Sequence, residues 1–208
     1  MKKKRLTRAE SQAQTRQRLL LAAVDVFARD GYAGASVDEI TEHAGYSRGA
    51  FYANFQNKDD LFLAMLEMQM EAVIAAATGI INSATEPAAK IALLKKVYIE
   101  ESHNKNLFLL FTEFFLFAIR NHGMRDRFNR LNQRYMETIA TLLKTAIPEL
   151  QKGQMAKNVS FSLLSLGHGV ALQHFSNPKY LTREESNKLM ESAFSVLVEG
   201  TVDYRVLR

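Results

Sequence analysis

Cysteine is absent from the 208-residue chain. No disulfide framework, thiolate metal site or cysteine nucleophile is therefore available, and a reducing compartment, the cytoplasm by default, fits that absence. Only three prolines and ten glycines are present, too few for many strands and turns or for long loops, so a mostly helical protein is expected. The basic start "MKKKRLTRAESQ" is followed by no apolar stretch and lacks the body of a secretory signal. Uninterrupted apolar runs are also missing. Across residues 61–81, the most apolar segment, Glu67, Gln69 and Glu71 intervene, each costly at the centre of a bilayer, and no membrane span is expected. The five histidines, His43, His103, His122, His168 and His174, fall into no zinc-ligand spacing, and neither a phosphate loop nor a nucleophile elbow occurs. No metal or cofactor is expected. An enzyme acting on a hydrophobic small molecule survives only as a constellation assembled from distant residues.

What is present is a globular composition, 47% apolar and 24% charged, long enough for one well-cored domain or two small ones. The net charge of +5 is concentrated at one end: Lys2, Lys3, Lys4, Arg5, Arg8, Arg16 and Arg18 face only Glu10 before residue 20. Residues 1–14 are read as a basic, flexible arm, drawn to nucleic acid or an anionic membrane surface, or serving as a solvated tail.

Three short helices follow, their ends marked by punctuation. The first runs from about Thr15 to Arg29 with Leu20, Val24 and Phe27 on one face, and Gly31 supplies a left-handed stop. Ser36 with Glu39 is a capping box, opening a helix with Val37, Ile40 and Ala44 at helical spacing before Gly45 ends it. Ser47 caps a third helix of about two turns with Phe51 and Phe55 inward, and Asn57 to Asp60 open a much longer one. A helix so short buries little, so its outer face is the point. Arg48, Gly49 and Tyr52 project there, and the second helix of a helix-turn-helix enters the major groove by its N-terminal residues. Arginine matches the paired acceptors of guanine, tyrosine hydroxyl and lysine ammonium suit phosphate, and Gly49 leaves room for close approach.

Residues 15–62, about a quarter of the chain, resemble the DNA-binding domain of the tetracycline-repressor (TetR) family of bacterial transcription regulators. The pattern reads "AAVDVFARDGYAGASVDEITEHAGYSRGAFYANFQNKDDLF", with "GY" closing helix one, "AG.S" at the turn and "FY..F" in the recognition helix. The resemblance implies that Ser36, Tyr46, Ser47, Arg48, Gly49, Tyr52 and Lys58 lie at or near DNA, with Ser36, Tyr52 and Lys58 on phosphates and Tyr46 to Gly49 nearer the bases. Two positions depart from the pattern. Asn54 stands at a DNA-backbone contact where the family usually has histidine, and Thr41 where it usually has a small alanine packed between helices.

Beyond that head, residues 61–208 are expected to form a larger helical domain, with no repeats or low-complexity tracts. "NLFLLFTEFFLFAIRN" is apolar nearly all round and is expected to be central. The last two helices, about Gln154 to Phe175 and Arg183 to Val202, carry a dimer face. Leu189, Ala193 and Leu197 form one apolar row and Met190, Phe194 and Val198 the next, while Gly167, Gly169 and Ala171 permit close approach. Dimerisation through these helices, and paired reading of a near-palindromic double-stranded operator, are also what the resemblance implies. For a ligand, Phe108, Phe111, Phe114, Phe115 and Phe117 are the candidate wall, set against the alternative of plain core. Glu113 is the placed polar group, to meet a cationic ligand or to pair with Arg120 or Arg134, and His103 and His168 are further polar candidates, His168 equally a dimer-face residue. The expectation is an all-α homodimer, a repressor released from its operator by a small, largely apolar molecule. A ligand-independent DNA-organising protein is the alternative.

Overall fold

The computed structural model describes residues 7–84, 86–151 and 153–200, the side chain of Glu199 excepted. The basic cluster Lys2 to Arg5 and the expected end of the last helix at Val202 lie outside the described residues. Every regular element among them is a helix: α1 Arg8–Gly34, α2 Val37–Ala44, α3 Arg48–Tyr52, α4 Lys58–Asn82, α5 Pro87–Ser102, α6 Lys105–Arg120, α7 His122–Ala146, α8 Met155–Ser176 and α9 Arg183–Phe194. A short 3-10 turn, Pro148–Gln151, precedes α8, and a π turn, Ser195–Glu199, continues α9.

The helix starts follow local chemistry. Thr7 and Glu10, Ser36 and Glu39, and Thr182 and Glu185 form three reciprocal capping boxes, each satisfying two backbone donors that a helix start leaves open. The first of these corrects the expectation of a flexible arm through residue 14, because α1 begins at Arg8 and takes residues 8–14 into a helix. Gly31 is left-handed as expected (φ 70°), yet the chain resumes helical geometry after it, so α1 is kinked rather than ended there.

The chain divides into two compact units, Met1–Gln69 with Leu109–Phe128, and Met70–Phe108 with Asn129–Arg208. Helices α4, α6 and α7 each contribute to both. The core of the first unit is aromatic: Phe27 meets Phe62 edge-on at 4.7 Å, Phe62 stacks on Phe114 at 5.1 Å, and Phe114 reaches Phe128 at 5.0 Å. Leu61, Phe62, Met65 and Leu66 of α4 are fully buried, as befits the one described helix long and apolar enough by composition to cross a membrane. The second unit's core gathers Ala140, Leu143, Ile147 and Leu150 against Val159, Leu163, Phe194 and Val198.

Two expectations are corrected here. Helix α6 is not buried all round, since Leu109, Leu116 and Ile119 are exposed along one face. In α9 the row Met190, Phe194, Val198 is buried inside its own chain, while Leu189 and Val196 are exposed. Of the other row, Leu189 is exposed while Leu197 packs against that core.

Candidate nucleic-acid interface and the residues behind it

The turn between α2 and α3 is set by Gly45, left-handed at φ 72°, whose amide returns to the carbonyls of α2. Ser47 caps α3 by accepting from the Ala50 amide. Phe51 and Phe55 are buried beneath it, and Thr41, the departure in α2, is buried with its hydroxyl donating to the Asp38 carbonyl at 2.9 Å. This leaves Ser47, Arg48, Gly49 and Tyr52 exposed on one edge, with Tyr46 half-buried beside them. Arg48 lies 3.2 Å from Asp38 through Nε. A hydrogen bond with Tyr52 and the charge of Asp38 hold its guanidinium above the ordinary arginine value. Both partners are solvent-exposed, so the pairing is weak and gives way readily to a stronger acceptor. A side chain at Gly49 would meet only Ser47 Oγ at 3.6 Å, so nothing in the chain itself demands glycine there.

Three expected DNA contacts are engaged within the chain. Ser36 is the N-cap of α2, its hydroxyl bonded to the Glu39 amide. Asn54 donates through Nδ2 to the Ala50 carbonyl at 2.8 Å. Lys58 is the most fully engaged: its ammonium donates to the carbonyls of Tyr32 at 2.7 Å and Ala35 at 2.9 Å and lies 4.4 Å from the Tyr32 ring centre. It closes the chain between α1 and α2. Lys58→Met is expected to lower the unfolding free energy by about 2 to 3 kcal/mol, the size of charge-assisted hydrogen bonds to half-buried acceptors. Denaturant unfolding checks it. A salt slope for DNA binding reduced by about one unit per protomer, at unchanged stability, would return Lys58 to the phosphate backbone.

Around Tyr32 lies a constellation that the sequence did not disclose. The Tyr32 hydroxyl donates to Asp59, and burial followed by the Asp59 carboxylate holds it protonated far above the ordinary phenol value. Arg127 of α7 pairs with Asp60 at 2.6 Å. Glu113 of α6 accepts from the Tyr32 amide at 2.5 Å, and a Cβ at Gly31 would stand 2.8 Å from its Oε1. Glu113 is thus engaged at the kink of α1, not with Arg120 or Arg134. The left-handed glycine exposes an amide that only a partner 81 residues away satisfies. No local pattern announces such a contact.

The other ligand candidates fall in both units. Phe114 is fully buried among Phe62, Phe117 and Phe128, a core position and not a wall. Phe111 and Phe115 are half-buried, their rings 6.4 Å apart. These and Glu113 belong to the first unit, whereas His103, Phe108 and His168 belong to the second. There the Phe108 ring lies tilted beside His168 at 4.9 Å, and burial lowers the His168 pKa. His103 sits between the Ile99 carbonyl at 2.9 Å and the Ser186 hydroxyl at 3.1 Å; burial lowers its pKa first of all, so both nitrogens are satisfied in the neutral form and none points to a ligand. Sequence reading missed Glu101, whose Oε2 is buried without a hydrogen-bond partner. Burial, with the Glu101 charge adding, pushes the Tyr135 hydroxyl up to about 12. A groove of about 440 Å³ between α5 and α9 is lined by Lys95, Lys96, Arg183, Glu100 and Glu191 among others, a polar surface. No group of histidine and carboxylate side chains suited to a metal ion occurs among the described residues.

The model of bacterial regulatory proteins of the tetR family matches residues 19–65, which hold α2, α3 and the exposed edge just described. The nicotine-responsive helix-turn-helix transcriptional repressor HdnoR of Paenarthrobacter nicotinovorans is 26% identical over 164 residues, covering 78% of this chain and 84% of that protein. Among solved structures, the tetR-family transcriptional regulator from Cytophaga hutchinsonii superposes with a TM-score of 0.70 at 22% identity, covering 95% of this chain and 98% of that one. FadR from Bacillus subtilis in complex with stearoyl-CoA superposes with a TM-score of 0.65 at 21% identity, covering 88% and 98%.

Proposed function

We propose that this chain, which matches the tetR family of bacterial regulatory proteins over residues 19–65, acts as a cytoplasmic homodimeric repressor that leaves its operator when a small, largely apolar molecule binds. The observation that carries the DNA half is the edge of α3, where Arg48, Gly49 and Tyr52 stand exposed above a buried Phe51 and Phe55. Arg48 reads a base, with Tyr46, Ser47 and Gly49 near the bases beside it, and Tyr52 holds the phosphate backbone. Support for the effector half comes from HdnoR, named as nicotine-responsive, and from FadR, solved with stearoyl-CoA. Selection of bound DNA from a random pool tests the reading: a two-fold symmetric consensus that small molecules release is expected, and sequence-blind binding that none releases points to a DNA-organising protein instead.

The dimer rests on exposed apolar surface in the second unit. Phe161, Leu166 and Leu172 lie with Ser165 and Gly169 within one exposed arc of α8, and Leu189 of α9 and Val196 of the π turn that continues it are exposed. Gly167 takes no part, because a Cβ there would stand 2.9 Å from Ser102 Oγ and 3.1 Å from the Tyr98 ring within the chain. Gly169 faces open space, with nothing within 4 Å of an added Cβ. Gly169→Arg is therefore expected to keep the helical circular-dichroism signal while shifting the sedimenting species to monomer and weakening operator binding by more than about 100-fold, since each half-site then binds alone. A dimer that survives moves the interface elsewhere.

Release from DNA follows as a coupling free energy: an effector that favours one arrangement of the head weakens DNA by the factor by which DNA weakens it. The proposed carrier is α6. It places Phe108 in the second unit and Glu113 in the first, five residues or about 7.5 Å along one helix. A shift of α6 reaches the Tyr32 amide through the Glu113 carboxylate, and with it the start of α2.

A further inference from the structure

Helix α3 is five residues long, too short to hold its own shape, and a helix end leaves its last carbonyls open. Three side chains close them. Asn54 Nδ2 donates to the Ala50 carbonyl at 2.8 Å. The carbonyls of Ala53 and Asn54, just past the helix, are taken from α1: Gln12 Nε2 donates to Ala53 at 3.4 Å, and the Arg16 guanidinium donates to Asn54 at 3.3 Å. Gln12 and Arg16 are four residues apart and stand one above the other on a single face of α1, a spacing that serves two adjacent carbonyls. The Arg16 guanidinium also lies 4.3 Å from the centre of the Phe55 ring. Phe55 is buried and reaches Phe51, the buried anchor of α3, at 5.7 Å. The turns of α1 that carry the pair are fixed at their start by the Thr7 and Glu10 capping box.

We propose that Gln12 and Arg16 form a strap that holds the C-terminal end of α3 against α1, and that Arg16 is a positioning residue for base reading, acting through Arg48, and not a phosphate contact. The proposal rests on the base-reading role given to Arg48 above and adds what holds that side chain in place. Arg48 and Tyr52 are carried by little more than one helical turn, so a tilt at the C-terminal end displaces both. A bidentate contact to a base edge needs its donors within about 0.5 Å of the productive geometry. Contacts to phosphate tolerate such a tilt better, because charge attraction along the duplex carries them. The strap therefore serves specificity more than affinity. Both of its residues are exposed, and their removal is expected to leave the fold in place.

The test compares Arg16→Met and Gln12→Ala with the unsubstituted full-length protein, on the selected operator and on random duplex DNA, across a series of salt concentrations. Circular dichroism at the assay temperature checks that each variant is folded. Arg16→Met is expected to lower the ratio of operator to random affinity by at least about fivefold, the lower end of what one base contact supplies, with the salt slope on random DNA unchanged. Gln12→Ala, which alters no charge, is expected to move the ratio in the same direction. In an Arg48→Ala background, Arg16→Met is expected to change base preference no further, since the strap acts through Arg48. Without DNA, hydrogen exchange is expected to quicken at the amides of α3 and Phe55 in both strap variants, while those of α2 stay as they were. A salt slope on random DNA reduced by about one unit per protomer, with the ratio unchanged, makes Arg16 a phosphate contact and overturns the strap. So does a loss of base preference that adds in full to that of Arg48→Ala, or exchange in α3 that neither substitution alters. If the unsubstituted protein prefers no sequence, the base-reading role of Arg48 is what fails, and quickened exchange in α3 still identifies the strap.

Discussion

Arg48→Ala is expected to lower operator affinity by roughly 5- to 150-fold for each half-site, the range that one good bidentate base contact supplies, and to lower affinity for random DNA far less. In a dimer the loss is taken twice, so that even the lower bound is roughly 25-fold, provided both half-sites present the same base. The geometry supports a clean experiment. Arg48 is exposed and is paired only with exposed Asp38 and Tyr52, so its removal leaves Phe51 and Phe55 undisturbed and the folded state intact. Binding profiles across all single-base variants of the operator check the prediction, and base preference is expected to flatten at one position in each half-site. A uniform loss across operator and random sequences assigns Arg48 to the phosphates, and specificity then passes to Tyr46, Ser47 or the shape of the duplex. Asp38 offers an internal control: replacing it by alanine frees the guanidinium and removes a negative charge from the DNA-facing edge, changes that both strengthen binding.

Legibility followed the distance over which each feature is determined. Ser36 with Glu39, Thr182 with Glu185, the Gly45 turn and Pro87 at the head of α5 are settled within four residues and are readable from the chain alone. Thr7 with Glu10 has the same signature and was obscured by the charges around it, which read as an unstructured arm. At Gly31 the left-handed stop was legible, but whether helix resumed beyond it was not, because that depends on the Tyr32 amide finding Glu113. Lys58 shows the same limit. Its family position suggests phosphate, yet two carbonyls 23 and 26 residues upstream take its ammonium. The carboxylates tell a related story: an acid among phenylalanines was the conspicuous candidate for a ligand charge, and Glu113 proved to have a backbone partner, while Glu101, in an unremarkable amphipathic helix, was left without one. Which buried charge lacks a partner is a property of packing, and sequence spacing does not encode it.

Phe114→Ala is expected to cost about 3 to 5 kcal/mol of stability, the cost of deleting a fully buried aromatic ring that its neighbours cannot close over. The ring is completely buried and lies between Phe62 of α4 at 5.1 Å and Phe128 of α7 at 5.0 Å, with Phe117 at 5.7 Å. Phe62 in turn packs on Phe27 and Tyr32 of α1. A cavity at residue 114 therefore loosens the unit that carries α2 and α3, and against typical total stabilities of about 5 to 15 kcal/mol the loss is large enough to leave an unfolded fraction near physiological temperature. Operator binding is expected to fall at that temperature in proportion to the folded fraction and to return to the unsubstituted value on cooling to about 15 °C, near the maximum of protein stability. Hydrogen exchange locates the effect: amides of α1 and of the first half of α4 should exchange faster, while those of α8, in the other unit, should not. The effector concentration that half-releases DNA should stay the same for the molecules that remain folded. A selective loss of effector response, with stability and exchange unchanged, is the opposite result, and it would make Phe114 part of a ligand cavity instead of the aromatic core.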